Sequence, residues 1–142
     1  MRFANLSQEA TQCLWDKWKY IIREILDEFN EDVFHGSGFV RENTYCERSY
    51  LSLETKNGSL YIFPRPGAEI ILRVYRNKID RQTLNLKSTV HKPDQENLMG
   101  TIRLEIGLIE ERYPPAEVTL RDYLTEGMRR AYKKYWMRLS HR

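Results

Sequence analysis

An apolar stripe near the N-terminus constrains the fold of this chain more than any other feature. Large apolar side chains recur there at steps of three and four residues, at Leu14, Trp18, Ile21, Ile22, Ile25 and Phe29. This spacing is typical of one face of an α-helix, and it predicts a helix of about 22 residues whose N-cap is Ser7. Such a helix must bury its stripe against a large apolar surface.

The middle of the chain shows the two-residue alternation of β-strands instead. Asn57-Gly58 lies between two alternating stretches and predicts a β-hairpin whose turn residues take positive φ. The alternating stretches predict five or six strands, at 33–40, 50–54, 60–63, 70–75, 83–90 and 101–108. Because the connections are of hairpin length, we expect the strands to pair antiparallel.

A second helical stripe follows the last predicted strand. A capping-box pattern at Thr119 and Asp122 predicts where this helix begins. Its apolar face consists of Leu120, Tyr123, Leu124, Met128, Ala131, Tyr135 and Leu139. The sequence therefore predicts an α+β fold: a long N-terminal helix, an antiparallel meander sheet of five or six strands, and a C-terminal helix. Both helices are expected on one sheet face, in a single domain that spans residues 1–142.

Composition narrows the class of protein. Apolar runs such as Ile70-Ile71-Leu72 are far shorter than the about 20 residues of a membrane span, so we expect no membrane insertion. The N-terminal residues show no apolar signal-peptide core. Cys13 and Cys46 lie far apart and fit no metal-ligand spacing. We therefore expect a cytoplasmic protein with reduced thiols and without a cofactor.

The central strands carry large side chains on both parities, which suggests a second buried or contacted surface. Aromatic side chains are enriched at protein interfaces because a ring contributes a large contact area at a low entropy cost. The predicted protein-binding surface is the outer sheet face with Tyr50, Tyr61, Phe63, Arg73 and Tyr75. We expect a non-catalytic binding or adaptor protein that contacts a protein partner of unknown identity, or a second copy in a homodimer.

The uneven charge distribution favours an alternative. Residues 1–32 hold seven acids and four bases, whereas residues 127–142 hold six bases and no acid. Interleaved cations and aromatic rings suit nucleic acid, with phosphates meeting the cations. The candidate nucleic-acid-binding residues are Arg73, Lys87, Arg129, Arg130, Lys133 and Lys134. The acidic first helix could instead neutralise the basic last helix within the molecule.

A small enzyme or ligand carrier is the third alternative. Its candidates are His35, which lies beside the glycines of the Gly36-Ser37-Gly38 segment, and Cys46. No serine or cysteine lies in a recognised nucleophile turn. The sequence therefore favours a binding role over catalysis.

Overall fold

The computed structural model describes residues 8–45, 48–67, 69–77, 97–105 and 116–140. Within these ranges the chain forms an N-terminal helix, five strands and a helical C-terminal segment. The elements are α1 (Gln8–Phe34), β1 (Phe39–Tyr45), β2 (Arg48–Glu54), β3 (Gly58–Arg65), β4 (Glu69–Arg76), β5 (Leu98–Leu104), α2 (Ala116–Ala131), a π-helical segment (Tyr132–Trp136) and α3 (Met137–Ser140). We call the continuous helical stretch 116–140 the C-terminal helix. The predicted α+β class is confirmed. The predicted strand at 83–90 lies outside the described residues.

The five strands form one antiparallel sheet in chain order, β1-β2-β3-β4-β5. In the predicted hairpin, Leu53 pairs with Leu60 and Leu51 with Ile62. These leucine and isoleucine side chains therefore share one face, as the alternation requires. A register shift between Val74 and Tyr75 marks an irregularity where β4 pairs with β5.

The turn of this hairpin differs from the prediction. Positive φ occurs among the described residues at His35, Gly36 and Gly67, so neither Asn57 nor Gly58 adopts it. The Thr55 amide instead donates a 2.8 Å hydrogen bond to the Gly58 carbonyl oxygen. Gly58 meets a packing requirement: a Cβ there would lie 2.8 Å from Nε1 of Trp136 and 2.7 Å from Cδ1 of Leu139.

Both helices pack on one face of the sheet, as predicted. Trp15, Trp18, Ile22 and Leu26 of α1 are each at most 1% exposed. They join one apolar cluster with strand residues and with the C-terminal helix. The strand residues of this cluster are Leu51, Leu53, Leu60, Ile62, Ile70, Leu72, Val74 and Leu104. We call this side of the sheet the core face and the opposite side the outer face.

Helix α1 is longer than predicted and absorbs part of the expected first strand. It runs to Phe34, and the Gly36 amide then donates to the Asn30 carbonyl oxygen at 3.1 Å. Asn30 ties the connection to β1 in two ways. Its Nδ2 donates to the Gly38 carbonyl oxygen, and its Oδ1 accepts from the Gly38 amide. As a result β1 begins at Phe39, near the end of the strand expected at 33–40.

The C-terminal helix also begins earlier than predicted, at Ala116 rather than near Thr119. Its close approach to β5 depends on Gly127, where a Cβ would lie 2.8 Å from Cδ1 of Leu104. Leu124, Met128 and Ala131 are buried at helical spacing, as expected.

The π-helical segment then changes which aromatic side chain enters the core. The Met137 amide donates to the Tyr132 carbonyl oxygen, five residues back. This wider turn brings Trp136, rather than the predicted Tyr135, onto the core face. Trp136 is 1% exposed, and its ring centroid lies 4.9 Å from that of Phe34. Tyr135 is half-buried at the border of the core.

Candidate functional site

The predicted protein-binding residues lie together on the outer face. Tyr50 and Tyr61 have ring centroids 5.7 Å apart, and Tyr61 and Tyr75 have centroids 5.4 Å apart. Arg73 stacks over the Phe63 ring at 4.9 Å. The structure thus brings all five predicted residues into one aromatic cluster. Burial raises the pKa of the Tyr50 phenol, and the nearby Glu54 carboxylate raises this pKa further.

The centre of this cluster is buried within the single chain. Tyr61 and Tyr75 are each 5% exposed in the single chain. Ile71 and Ser52, which share their face, are 1% and 0% exposed. Tyr50, Phe63 and Arg73 are half-buried. Tyr61 and Tyr75 are therefore packed without a second molecule. That the cluster binds a protein partner or a second copy stays a prediction.

Of the two residues named for the enzyme alternative, the structure describes His35. His35 is exposed and lies in the turn after α1, with φ of 55°. Cys46 lies outside the described residues. Within the described part of the chain, no group of three or more His, Cys, Asp or Glu side chains could hold a metal ion.

The acidic residues of α1 pair with cations other than those of the basic C-terminus. Arg121, near the start of α2, forms ion pairs with Glu24 and, at 3.4 Å, with Glu28. On the other side of α1, Lys19 donates to Glu42 of β1 at 3.0 Å. This hydrogen bond is the largest cause of the raised pKa of the Lys19 ammonium. Two acids of α1 are thus paired with Arg121 of the C-terminal helix, but not with the basic residues further along that helix. The pair between Lys19 and Glu42 joins α1 to β1 and neutralises an acid of β1.

Arg138 of the C-terminal helix is solvent-exposed, and so are four cations that lie in one stretch: Arg129, Arg130, Lys133 and Lys134. In the described ranges, none of the four forms an ion pair with a carboxylate. The Lys134 ammonium lies 5.5 Å from the centroid of the Tyr135 ring. Their positive charge is therefore available to a ligand.

Three of these cations surround a groove of about 350 Å³ between β5 and the C-terminal helix. Its lining consists of Thr101, Ile102, Arg130, Lys133, Lys134 and Tyr135, and we call it the basic groove. One wall is strand β5, whose Thr101 is exposed and whose Ile102 is half-buried. The other wall is the π-helical segment and the turn before it. π-Helical turns occur frequently at functional sites.

The floor of the basic groove depends on a glycine. A Cβ at Gly100 of β5 would overlap the ring of Tyr135, so the ring lies directly against the strand backbone. The ring is half-buried and contacts the apolar cluster from its border. An aromatic surface is thus held next to three cations.

Scans of protein-family models and searches of curated proteins and solved structures found no match to this chain.

The other predicted nucleic-acid-binding residues do not line the basic groove. Arg73 lies on the outer face of β4, Arg129 is exposed on α2, and Lys87 is outside the described residues. Thr101, Ile102 and the position of Tyr135 in the groove were not predicted from the sequence. No local pattern marks them, because the pairing of β5 with β4 and the packing of the helix bring them together.

None of the helices in the described ranges is long and apolar enough to cross a membrane.

Proposed function

We propose that this protein binds nucleic acid without transforming it, and that the basic groove and the neighbouring cations meet the phosphates. The supporting observation is the clustering of cations without a carboxylate partner, because Arg65 and Arg76, which also lack one among the described residues, lie apart on the sheet. Lys19, Arg41, Arg103 and Arg121 have carboxylate partners within the molecule. The four exposed cations at 129–134 have none among the described residues. A cluster of unpaired cations is the electrostatic footprint of phosphate binding.

The spacing of these cations also fits a chain of phosphates. Arg129 and Lys133 are four residues apart, as are Arg130 and Lys134, and such pairs are neighbours on one helix face. The four form a stripe on the exposed side of the helix, since Met128 and Ala131 face the core. A stripe of charge suits a polyanion better than a compact ligand with a single charge.

Protein binding through the outer face is a weaker proposal on this geometry. Tyr61 and Tyr75 would have to leave their packed positions to meet a partner. Loss of buried aromatic contacts lowers stability, whereas the cations of the basic groove are already exposed. Nucleic-acid binding is therefore the better supported of the two binding roles.

The test compares two triple variants in fluorescence anisotropy titrations with labelled single-stranded and duplex oligonucleotides. R130Q/K133Q/K134Q removes three cations of the basic groove. R23Q/R41Q/R65Q removes three cations elsewhere and changes the net charge equally. We expect affinity of the wild type to fall as salt rises, with a log–log slope of about 0.7 per phosphate contacted on a single strand. The groove triple should lower this slope by up to about 2, and the control should leave it unchanged.

Two results would overturn the proposal. One is the absence of binding to either oligonucleotide at low salt. The other is displacement of the oligonucleotide by polyglutamate at equal charge concentration, because the surface would then suit an acidic protein equally well. Equal losses in the two triple variants would also count against the groove, since they would reduce the effect to net charge.

A further inference from the structure

The basic groove combines its cations with an aromatic ring, and this combination distinguishes between forms of nucleic acid. The Tyr135 ring is fixed on one side against Gly100 and lies next to the Lys134 ammonium. Arg130 and Lys133 complete the same lining. Cations alone would suit either a duplex or a single strand, because both carry phosphates on their surface. A ring is useful to a ligand that offers a flat face.

A duplex does not offer such a face, because its bases are stacked on each other inside the helix. An unpaired base does, and stacking of bases on aromatic side chains is the usual way in which single strands are held. The size of the groove agrees with this. A volume of about 350 Å³ lies at the lower end of small-molecule sites.

From these features we infer that the basic groove takes one unpaired base of a single-stranded nucleic acid against Tyr135. Arg130, Lys133 and Lys134 then meet the phosphates on either side of that base. In the free protein the Lys134 ammonium lies over the ring, and it moves to a phosphate when the base takes its place. This inference rests on the proposed function and narrows it to single strands.

The first test uses the unmodified protein. An oligothymidine of about 20 nucleotides and a duplex of equal length are titrated at the same salt concentration. The single strand should bind about tenfold more tightly, because only its bases can stack. A second single strand carries 2-aminopurine, whose fluorescence is quenched by stacking. Its fluorescence should fall on binding.

The second test uses variants of the ring. Tyr135→Leu should weaken single-strand binding about tenfold and abolish the quenching, while the salt slope remains, because stacking contributes independently of the phosphate contacts. Tyr135→Phe keeps the ring and should match the wild type in both readouts. Gly100→Ala should also reduce quenching, since the added methyl displaces the ring. Circular dichroism establishes that each variant is folded.

The outcomes separate this inference from the proposed function. Equal affinity for duplex and single strand, or unchanged 2-aminopurine fluorescence on binding, would overturn single-strand selection and leave nucleic-acid binding intact. Absence of salt-dependent binding to any oligonucleotide would overturn both. The wild-type measurements decide the matter even if Tyr135→Leu fails to fold.

Discussion

His35 has a left-handed backbone conformation, with φ of 55°, immediately before Gly36 at 76°. This conformation costs a residue with a Cβ about 1–2 kcal/mol, whereas glycine adopts it readily. The imidazole is exposed, so little packing is lost with it. We expect His35→Gly to raise the free energy of unfolding by up to about 1 kcal/mol in urea denaturation, after the entropy cost of glycine is subtracted.

His35→Ala is the matched control, because it removes the imidazole but keeps the Cβ. It should leave the free energy of unfolding nearly unchanged and oligonucleotide binding intact. A lower stability of His35→Gly than of His35→Ala would show that the imidazole or the backbone makes a contribution that the structure does not explain. The glycine-rich context suggested a pocket histidine, but the structure makes His35 part of the turn that follows α1.

Tyr50 makes stability depend on pH in the alkaline range. Its pKa is raised in the folded protein by burial and by Glu54. The folded state therefore retains the phenolic proton to a higher pH than the unfolded chain, whose tyrosine pKa is about 10. Titration of Tyr50 therefore leaves stability unchanged below about pH 10, and it lowers stability as the pH rises from about 10 through the pKa of the folded protein.

We expect Tyr50→Phe to reduce this alkaline loss in urea denaturation between about pH 8 and pH 11. Lys19 contributes in the same direction, because its raised pKa gives stability that is present below about pH 10.4 and is lost as the pH rises through the folded pKa. Some alkaline loss therefore remains in the variant. Tyr123→Phe, which removes a half-buried phenol of the C-terminal helix, is the control and should follow the wild type. Identical pH curves for the wild type and Tyr50→Phe would contradict the prediction.

The π-helical segment is the element that sequence periodicity could not predict. A regular helix of 3.6 residues per turn would place Tyr135, four residues after Ala131, in the core. The observed step from Ala131 to the next buried ring, Trp136, is five residues. A one-residue insertion leaves no local signature, because tyrosine and tryptophan are both suited to a buried position. Tertiary packing decides between them.

This geometry predicts that the C-terminal helix tolerates a deletion. Removing Lys133 would place Trp136 four residues after Ala131, which is regular α-helical spacing. We therefore expect the Lys133 deletion to keep the free energy of unfolding within about 1 kcal/mol of the wild type, as for an ordinary surface change. Thermal and urea denaturation would measure it.

Deletion of Asp27 from α1 is the matched control, because this residue is also exposed but lies in a regular helix. Its removal turns Phe29 and Phe34 away from the rings that they contact in the C-terminal helix. We expect a loss of about 3 kcal/mol or more, comparable to truncation of a buried phenylalanine. If the two deletions lower the free energy of unfolding equally, the π-helical segment does not behave as a one-residue insertion that the helix can lose.

At the scale of the molecule, alternation and helical periodicity were sufficient to predict the order of elements and the common face of the two helices. The Leu51–Leu53 and Leu60–Ile62 pattern also predicted the hairpin register. The same rules could not show whether the outer face is exposed. Alternation assigns a side chain to a face of the sheet, but burial of that face depends on long-range packing, which has no local signal.

The stability cost of truncating Tyr61 or Tyr75 shows whether the outer face is packed within the molecule or is free to dock a partner. If the rings are held within the molecule, truncation must lower stability even when no partner is present. We expect Tyr61→Ala and Tyr75→Ala each to lower the free energy of unfolding by about 3 kcal/mol or more in urea denaturation. Phe39→Ala is the matched control, because Phe39 lies on the same face at the edge strand and is 61% exposed. It should cost less than about 1 kcal/mol. If the two tyrosine variants cost no more than Phe39→Ala, the rings are accessible in solution, and the outer face regains its place as the candidate surface for a protein partner.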